Sequence, residues 1–82
     1  MSKAVQDVVQ ERERQKHIID EEFEAQNTAN DFVAYITAYA GRAARKVLRN
    51  ERQEETFRSN MVKVAAIAVA AIEAFDKGQF GE

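Results

Sequence analysis

Apolar and polar residues alternate with a helical period along three segments of the chain. The most apolar segment, residues 62–75, is apolar on nearly every side, whereas an ordinary surface helix carries a single apolar stripe. A helix of this kind has to be covered by several neighbours, and a chain of 82 residues supplies few of them. The pattern therefore predicts an all-α protein whose fold is completed by oligomerisation.

The periodicity predicts helices over about residues 2–23, 29–50 and 56–77. We expect the second and third helices to form a long antiparallel hairpin with the first helix laid across it. The chain is expected to be one helical domain, residues 1–82. The apolar positions of the three helices are, in turn, Val5, Val8, Val9, Ile19 and Phe23; Phe32, Ile36, Tyr39, Ala43 and Val47; and Phe57, Met61, Val64, Ile67, Ala68, Ala71, Ile72 and Phe75.

Residues with capping side chains mark the expected helix ends. Ser2 can cap the first helix, and Asn27, Thr28 or Asn30 can cap the second, with Asp31 in its first turn. Thr56 is the expected cap of the third helix. Gly78 is suited to the left-handed backbone conformation that ends many helices. The tail after Gly78 is expected to be mobile unless Phe80 docks.

Gly41 lies inside the second predicted helix, where glycine costs roughly 1 kcal/mol relative to alanine. Ala38, Ala40, Ala43 and Ala44 surround it in sequence. Together these small residues predict that two helix backbones approach closely at Gly41.

Composition excludes several classes of protein. The chain has no cysteine and a single histidine, His17, so neither a disulfide framework nor a closed zinc site is expected, and no cofactor is predicted. A net charge of −2 argues against a dedicated duplex-binding domain. The apolar run 64–72 is too short to span a bilayer, and the N-terminus lacks an apolar signal core. We expect a cytoplasmic protein with a surface-exposed His17.

The most specific candidate site is a row of basic residues on one face of the second helix: Arg42, Arg45, Lys46 and Arg49. Like charges on one face repel one another, so the row needs compensation. The helix C-terminus and the acids Glu51, Glu54 and Glu55 can provide it. An anionic ligand can also provide it, because arginine grips phosphate with two hydrogen bonds, and an acidic protein partner is a third possibility.

Carboxylates at helical spacing form a second candidate site. Glu21 and Glu24, together with Glu73 and Asp76, resemble the two half-motifs of the MazG-like fold. That resemblance implies an all-helical nucleotide pyrophosphohydrolase in which carboxylates hold Mg²⁺ against a substrate phosphate. The alternative is that these residues form solvated acidic faces.

A second resemblance covers most of the chain. The segments 11–15, 38–40 and 61–66, with Arg58 before the last of them and Glu73 and Asp76 after it, resemble short uncharacterised all-helical proteins of tailed phages and prophages. The resemblance implies a bacterial cytoplasmic setting, in which small helical oligomers can sequester host signalling nucleotides as an anti-defence strategy.

Three hypotheses of function follow. The leading one is a non-enzymatic, homo-oligomeric protein that binds or sequesters an anionic ligand such as a nucleotide through the basic helix face. The first alternative is a Mg²⁺-dependent nucleotide pyrophosphohydrolase that uses Glu21, Glu24, Glu73 and Asp76. The second alternative is a phage protein that binds and modulates a host protein.

Overall fold

The architecture was obtained from a computed structural model, which describes residues 1–18, 26–48 and 54–81, and the side chains of residues 1–16, 26–45 and 57–81. These residues form three α-helices and no strand: α1 (Lys3–Ile18), α2 (Ala29–Leu48) and α3 (Glu54–Asp76). The all-α fold is thereby confirmed. The first helix was expected to reach residue 23, but residues 19–25 lie outside the described residues.

Helix α3 is central, because α1 and α2 both pack against it. The main core cluster lies between α2 and α3 and consists of the buried side chains of Phe32, Ile67, Ala70 and Ala74. Four half-buried residues pack around it: Ile36, Tyr39, Ala71 and Phe80. The ring of Phe80 meets that of Phe32 edge to face, with centroids 5.9 Å apart. The residues after α3 therefore return to the core through Phe80.

Helix α1 attaches to α3 through polar side chains. Arg12 is 8% exposed, and its Nε donates a hydrogen bond to Oε1 of Glu73 at 2.9 Å. Arg58 of α3 forms an ion pair with Asp7 at 2.8 Å. Val5 and Val9, which were expected on the packing face, are about half exposed. The long stem of Arg12 replaces aliphatic side chains in this contact, while its charge is neutralised by Glu73.

The observed caps explain where two of the helices begin. The backbone N–H of Val5 donates to Oγ of Ser2 at 3.2 Å. At α2, the N–H of Asp31 donates to Oγ1 of Thr28 at 3.1 Å, and the N–H of Thr28 donates to Oδ2 of Asp31 at 2.8 Å. This reciprocal pair is a capping box with aspartate in the place of glutamate.

The end of α3 is a Schellman motif. Gly78 has a φ of 74°, a conformation that L-residues with a side chain rarely adopt. Its N–H donates to the carbonyl of Phe75 at 2.9 Å, and the N–H of Gln79 donates to the carbonyl of Ala74 at 3.0 Å. The prediction for Gly78 is confirmed.

Two predictions about helix details were wrong. Helix α3 begins at Glu54, so Thr56 lies within the helix and does not cap it. A Cβ built on Gly41 meets no atom within 4 Å, so no other helix described in the same chain approaches Gly41, and an approach by another subunit stays a prediction. Ala43 is 2% exposed and lies in the packed interface instead.

Candidate ligand-binding surface

The basic face of α2 begins beside an aromatic ring. The guanidinium carbon of Arg42 lies 5.0 Å from the ring centroid of Tyr39, and Nζ of Lys63 lies 5.6 Å from the same centroid. The spacing of three residues between Tyr39 and Arg42 places them one turn apart on α2, whereas Lys63 comes from α3. We call these three residues the Tyr39 cluster.

The Tyr39 ring is held in place because one side of it packs against the core cluster. Cations within about 6 Å of an aromatic centroid are attracted by the electron-rich face of the ring, by roughly 0.5–1 kcal/mol at exposed sites. The ring therefore fixes two positive charges from different helices close together. Arg45 follows one turn along α2 from Arg42 and is exposed.

Charges from α1 border the Tyr39 cluster. Arg14 donates hydrogen bonds from Nε and Nη2 to the two carboxylate oxygens of Glu11, at 2.9 and 2.6 Å. These bonds, with the charge of Arg14, a hydrogen bond from Gln15 and the charge of Lys63, lower the pKa of the Glu11 carboxyl. The same hydrogen bond raises the pKa of Arg14. Glu11 and Arg14 neutralise each other, so among the described side chains Arg42, Arg45 and Lys63 leave this surface positive.

The predicted basic row is described only in part. Arg42 and Arg45 lie on the exposed side of α2, while the side chains of Lys46 and Arg49 lie outside the described residues. The sequence analysis missed Lys63 as a neighbour of the row. No local signal could have identified it, because Lys63 joins the row only through the packing of α3 on α2.

In the structure, Glu73 of the predicted acidic site is paired with Arg12 of α1. The bound guanidinium of Arg12 lowers the pKa of the Glu73 carboxyl, and this ion pair fixes α1 to α3. Asp76 is exposed, and Glu21 and Glu24 lie outside the described residues. Within the described parts of the chain, no group of three or more histidine, aspartate or glutamate side chains is arranged to hold a metal ion. The side chain of His17 is also outside the described residues.

Two open pockets lie away from the Tyr39 cluster. One, of about 260 Å³, is lined by Asp7, Glu11, Arg58, Ser59 and Val62; its cation, Arg58, is already paired with Asp7. The other, of about 380 Å³, lies beside the start of α2 and Phe80. There Asp31 places a carboxylate at the helix N-terminus, so an anion would meet a like charge. Neither pocket fits an anionic ligand as well as the Tyr39 cluster does.

The helices that the structure describes are not long and apolar enough for any of them to cross a membrane. Comparison with protein-family models, with curated proteins and with solved structures found no match to this chain. The resemblances to the short phage proteins and to the MazG half-motifs therefore stay predictions from sequence.

Proposed function

We propose that this chain is a self-associating helical protein that binds an anionic ligand such as a nucleotide on the surface formed by Arg45 and the Tyr39 cluster. The observation that carries the proposal is the placement of Arg42 and Lys63 at one tyrosine ring by two different helices. In this proposal Lys46 and Arg49 extend the surface along α2, whose pairing with α3 is the antiparallel hairpin expected from sequence.

The chemistry of the surface fits a phosphorylated, planar ligand. Guanidinium groups bind phosphate oxygens in pairs, and a guanidinium plane can also stack on a base. None of the described residues forms a constellation for bond cleavage, so the proposed role is binding or sequestration. Its proposed setting is the cytoplasm of a bacterial host.

Isothermal titration with linear and cyclic nucleotides, and with inorganic pyrophosphate, tests the proposal. We expect binding by at least one of these ligands and a loss of at least about tenfold in affinity for the double variant Arg45→Glu/Arg49→Glu. A charge-assisted hydrogen bond contributes about 1.5–3 kcal/mol, and about 1.4 kcal/mol corresponds to tenfold.

The matched control is Lys3→Glu/Lys77→Glu, which changes the net charge by the same amount with exposed lysines away from the basic face. Its affinity should fall by less than about threefold, because exposed charges farther away than the Debye length of about 8 Å are largely screened at physiological salt. Absence of binding to the whole panel, or an equal loss in both double variants, would overturn the proposal.

A further inference from the structure

Helix α3 has a third side that neither α1 nor α2 covers. The contacts with α1 involve Arg58 and Glu73, and those with α2 involve Ile67, Ala70 and Ala74. At 3.6 residues per turn, the side chains that the structure describes in the remaining sector of the helix, within residues 57–75, are all apolar. We call this sector the apolar back; its residues are Phe57, Met61, Val64, Ala65, Ala68, Ile72 and Phe75.

The apolar back is unusually exposed for its composition. Ile72 is 61% exposed, Phe75 52% and Phe57 45%, and the other members are half-buried. Their spacing alternates between three and four residues along most of α3, which is the repeat by which helices pair along their length. Isolated exposed apolar residues are ordinary, but a continuous stripe of them marks an interaction surface.

The stripe is nearly symmetric about its middle. Phe57 and Phe75 occupy its two ends, Met61 and Ile72 come next, and the smaller residues Val64, Ala65 and Ala68 lie around the centre. An antiparallel copy of the same helix would therefore place a large residue opposite a large one at each end. The smaller central residues would let the two helices approach closely. A stripe that complements itself in this way suits a twofold interface.

Charges at the edge of the stripe favour the same orientation. Arg58 and Asp76 are 18 residues apart, which is about five helical turns, so they lie at one edge of the apolar back near opposite ends. Antiparallel pairing brings Arg58 close to the partner subunit's Asp76, because the same edges of two antiparallel helices meet, whereas in a parallel pair the two copies of this edge lie on opposite sides of the interface. Arg58 already contacts Asp7, but its side chain is 48% exposed and can reach a second carboxylate.

The surface area and the core of the chain indicate that a partner is needed. The chain exposes 6111 Å², whereas a folded monomer of 9.3 kDa exposes about 5,000 Å². The difference of about 1,100 Å² exceeds the roughly 800 Å² that each partner contributes to a standard interface. Among the described side chains, the buried apolar core has only two residues larger than alanine, Phe32 and Ile67.

We infer that two copies of this chain form a twofold symmetric dimer in which the apolar backs of their α3 helices pair antiparallel. The inference rests on the self-association in the proposed function and not on the identity of the ligand. The apolar back lies opposite the groove between α1 and α2 that contains Lys63. Each dimer would therefore carry two basic surfaces that face away from the interface and from each other.

Light scattering coupled to size-exclusion chromatography tests the dimer with matched variants. We expect twice the chain mass for the wild type at micromolar concentration, and the single chain mass for Ile72→Glu. Tyr35→Glu is the control, because Tyr35 is an exposed ring (43%) on the side of α2 away from the apolar back; this variant should stay dimeric. A monomeric wild type, or a dimeric Ile72→Glu with an unchanged dissociation constant, would overturn the inference.

Disulfide trapping tests the orientation, since the natural chain has no cysteine. In the antiparallel pair, residue 61 lies beside the partner's residue 72, whereas the two copies of residue 61 are separated by about 15 Å along the axis. A disulfide requires Cα atoms within about 7 Å. Mixing Met61→Cys with Ile72→Cys chains should give a cross-linked heterodimer, while either variant alone should not cross-link. Efficient cross-linking of Met61→Cys to itself would contradict the antiparallel arrangement.

These tests separate the two proposals. If the wild type is a dimer and no ligand binds, the dimer stands and the proposed ligand fails. If the wild type is a monomer that binds nucleotide with loss in Arg45→Glu/Arg49→Glu, the ligand stands and the dimer fails. Circular dichroism of Ile72→Glu should show unchanged helix content, because the substituted side chain is mostly exposed within one chain.

Discussion

At the scale of single residues, Gly41 illustrates how a helix can carry an unfavourable residue that no described packing within the same chain requires. It lies in the interior of α2 with ordinary helical backbone geometry, and no atom lies within 4 Å of the position that a Cβ would occupy. The cost of glycine is then purely conformational, because its backbone is freer in the unfolded chain.

We predict that Gly41→Ala raises the free energy of unfolding by about 0.4–1 kcal/mol. The added methyl group meets open space and reduces the entropy of the unfolded chain. Chemical denaturation followed by circular dichroism measures the effect, which should appear as a higher midpoint with an unchanged slope. Destabilisation would mean that another chain packs against α2 at Gly41.

Thr28 is a residue whose single side chain fixes the start of a helix. Its hydroxyl oxygen accepts from the N–H of Asp31, and its own N–H donates to the Asp31 carboxylate. We predict that Thr28→Ala lowers the free energy of unfolding by about 1 kcal/mol, while Thr28→Ser loses much less because the serine hydroxyl can accept the same hydrogen bond. Equal stability of the alanine and serine variants in a denaturant series would contradict this role for the hydroxyl.

At the scale of the helices, the attachment of α1 to α3 should depend on pH. The pKa of Glu73 is lowered from its ordinary value near 4.5 by the hydrogen bond and charge of Arg12. A carboxyl whose pKa is lower in the folded state stabilises the fold above its unfolded pKa, and this contribution disappears as the pH falls through the folded pKa.

We therefore predict that Glu73→Gln destabilises the protein at pH 7 and that the difference from the wild type shrinks as the pH falls below about 4.5. Unfolding curves collected from pH 7 down to pH 3 measure this difference. Glu13→Gln is the control, because the ion pair of Glu13 with Lys16 is long, 3.5 Å, and exposed, so its effect should be below about 0.5 kcal/mol. A difference between wild type and Glu73→Gln that stays constant with pH would refute the prediction.

A comparison of the predicted helices with the observed ones shows which parts of the fold could be predicted from sequence. The helix ends at Ser2, Thr28 and Gly78 were predictable because each is decided by hydrogen bonds within about five residues. The environments of Gly41 and Arg12 were not, since both depend on which side of a helix is packed. In α1 the apolar residues Val5 and Val9 lie toward solvent and Arg12 is buried, which reverses the usual amphipathic pattern.

The candidate ligand-binding surface could likewise be predicted only in part. Arg42 and Arg45 share an exposed helix side, as the spacing of the basic row required. Lys63 belongs to the Tyr39 cluster through contact between helices that are distant in sequence. Helical periodicity reports the face of one helix, and it contains no information on which residue of another helix will lie opposite.

At the scale of the whole molecule, the chain is expanded for its length. Its Cα radius of gyration is 13.7 Å, whereas about 11.7 Å is expected for a compact domain of this size. Two helices that flank a third without covering it produce a flat molecule with a large surface. Because pairing would add to the stability of the folded chain, we expect that stability to depend on concentration.

We predict that the thermal midpoint of the wild type falls on serial dilution, whereas that of Ile72→Glu is lower at high concentration and does not change on dilution. Folding that is linked to association follows mass action, whereas the stability of a monomer does not depend on concentration. Differential scanning fluorimetry across a hundredfold range of concentration would measure both. A wild-type midpoint independent of concentration would count against linked folding and pairing.

The polar attachment of α1 has a consequence for how the molecule opens. Among the side chains described in α1, Arg12 is the one buried residue, and the contact with α3 includes the ion pairs of Arg12 with Glu73 and of Asp7 with Arg58. Added salt weakens the more exposed pair of Asp7 with Arg58, screens the partly buried pair of Arg12 with Glu73 less, and leaves the apolar contact of α2 with α3 largely unaffected. Amide hydrogens of α1 should therefore exchange with solvent through local detachment that becomes faster with ionic strength, while those of α2 exchange only when the molecule opens more widely.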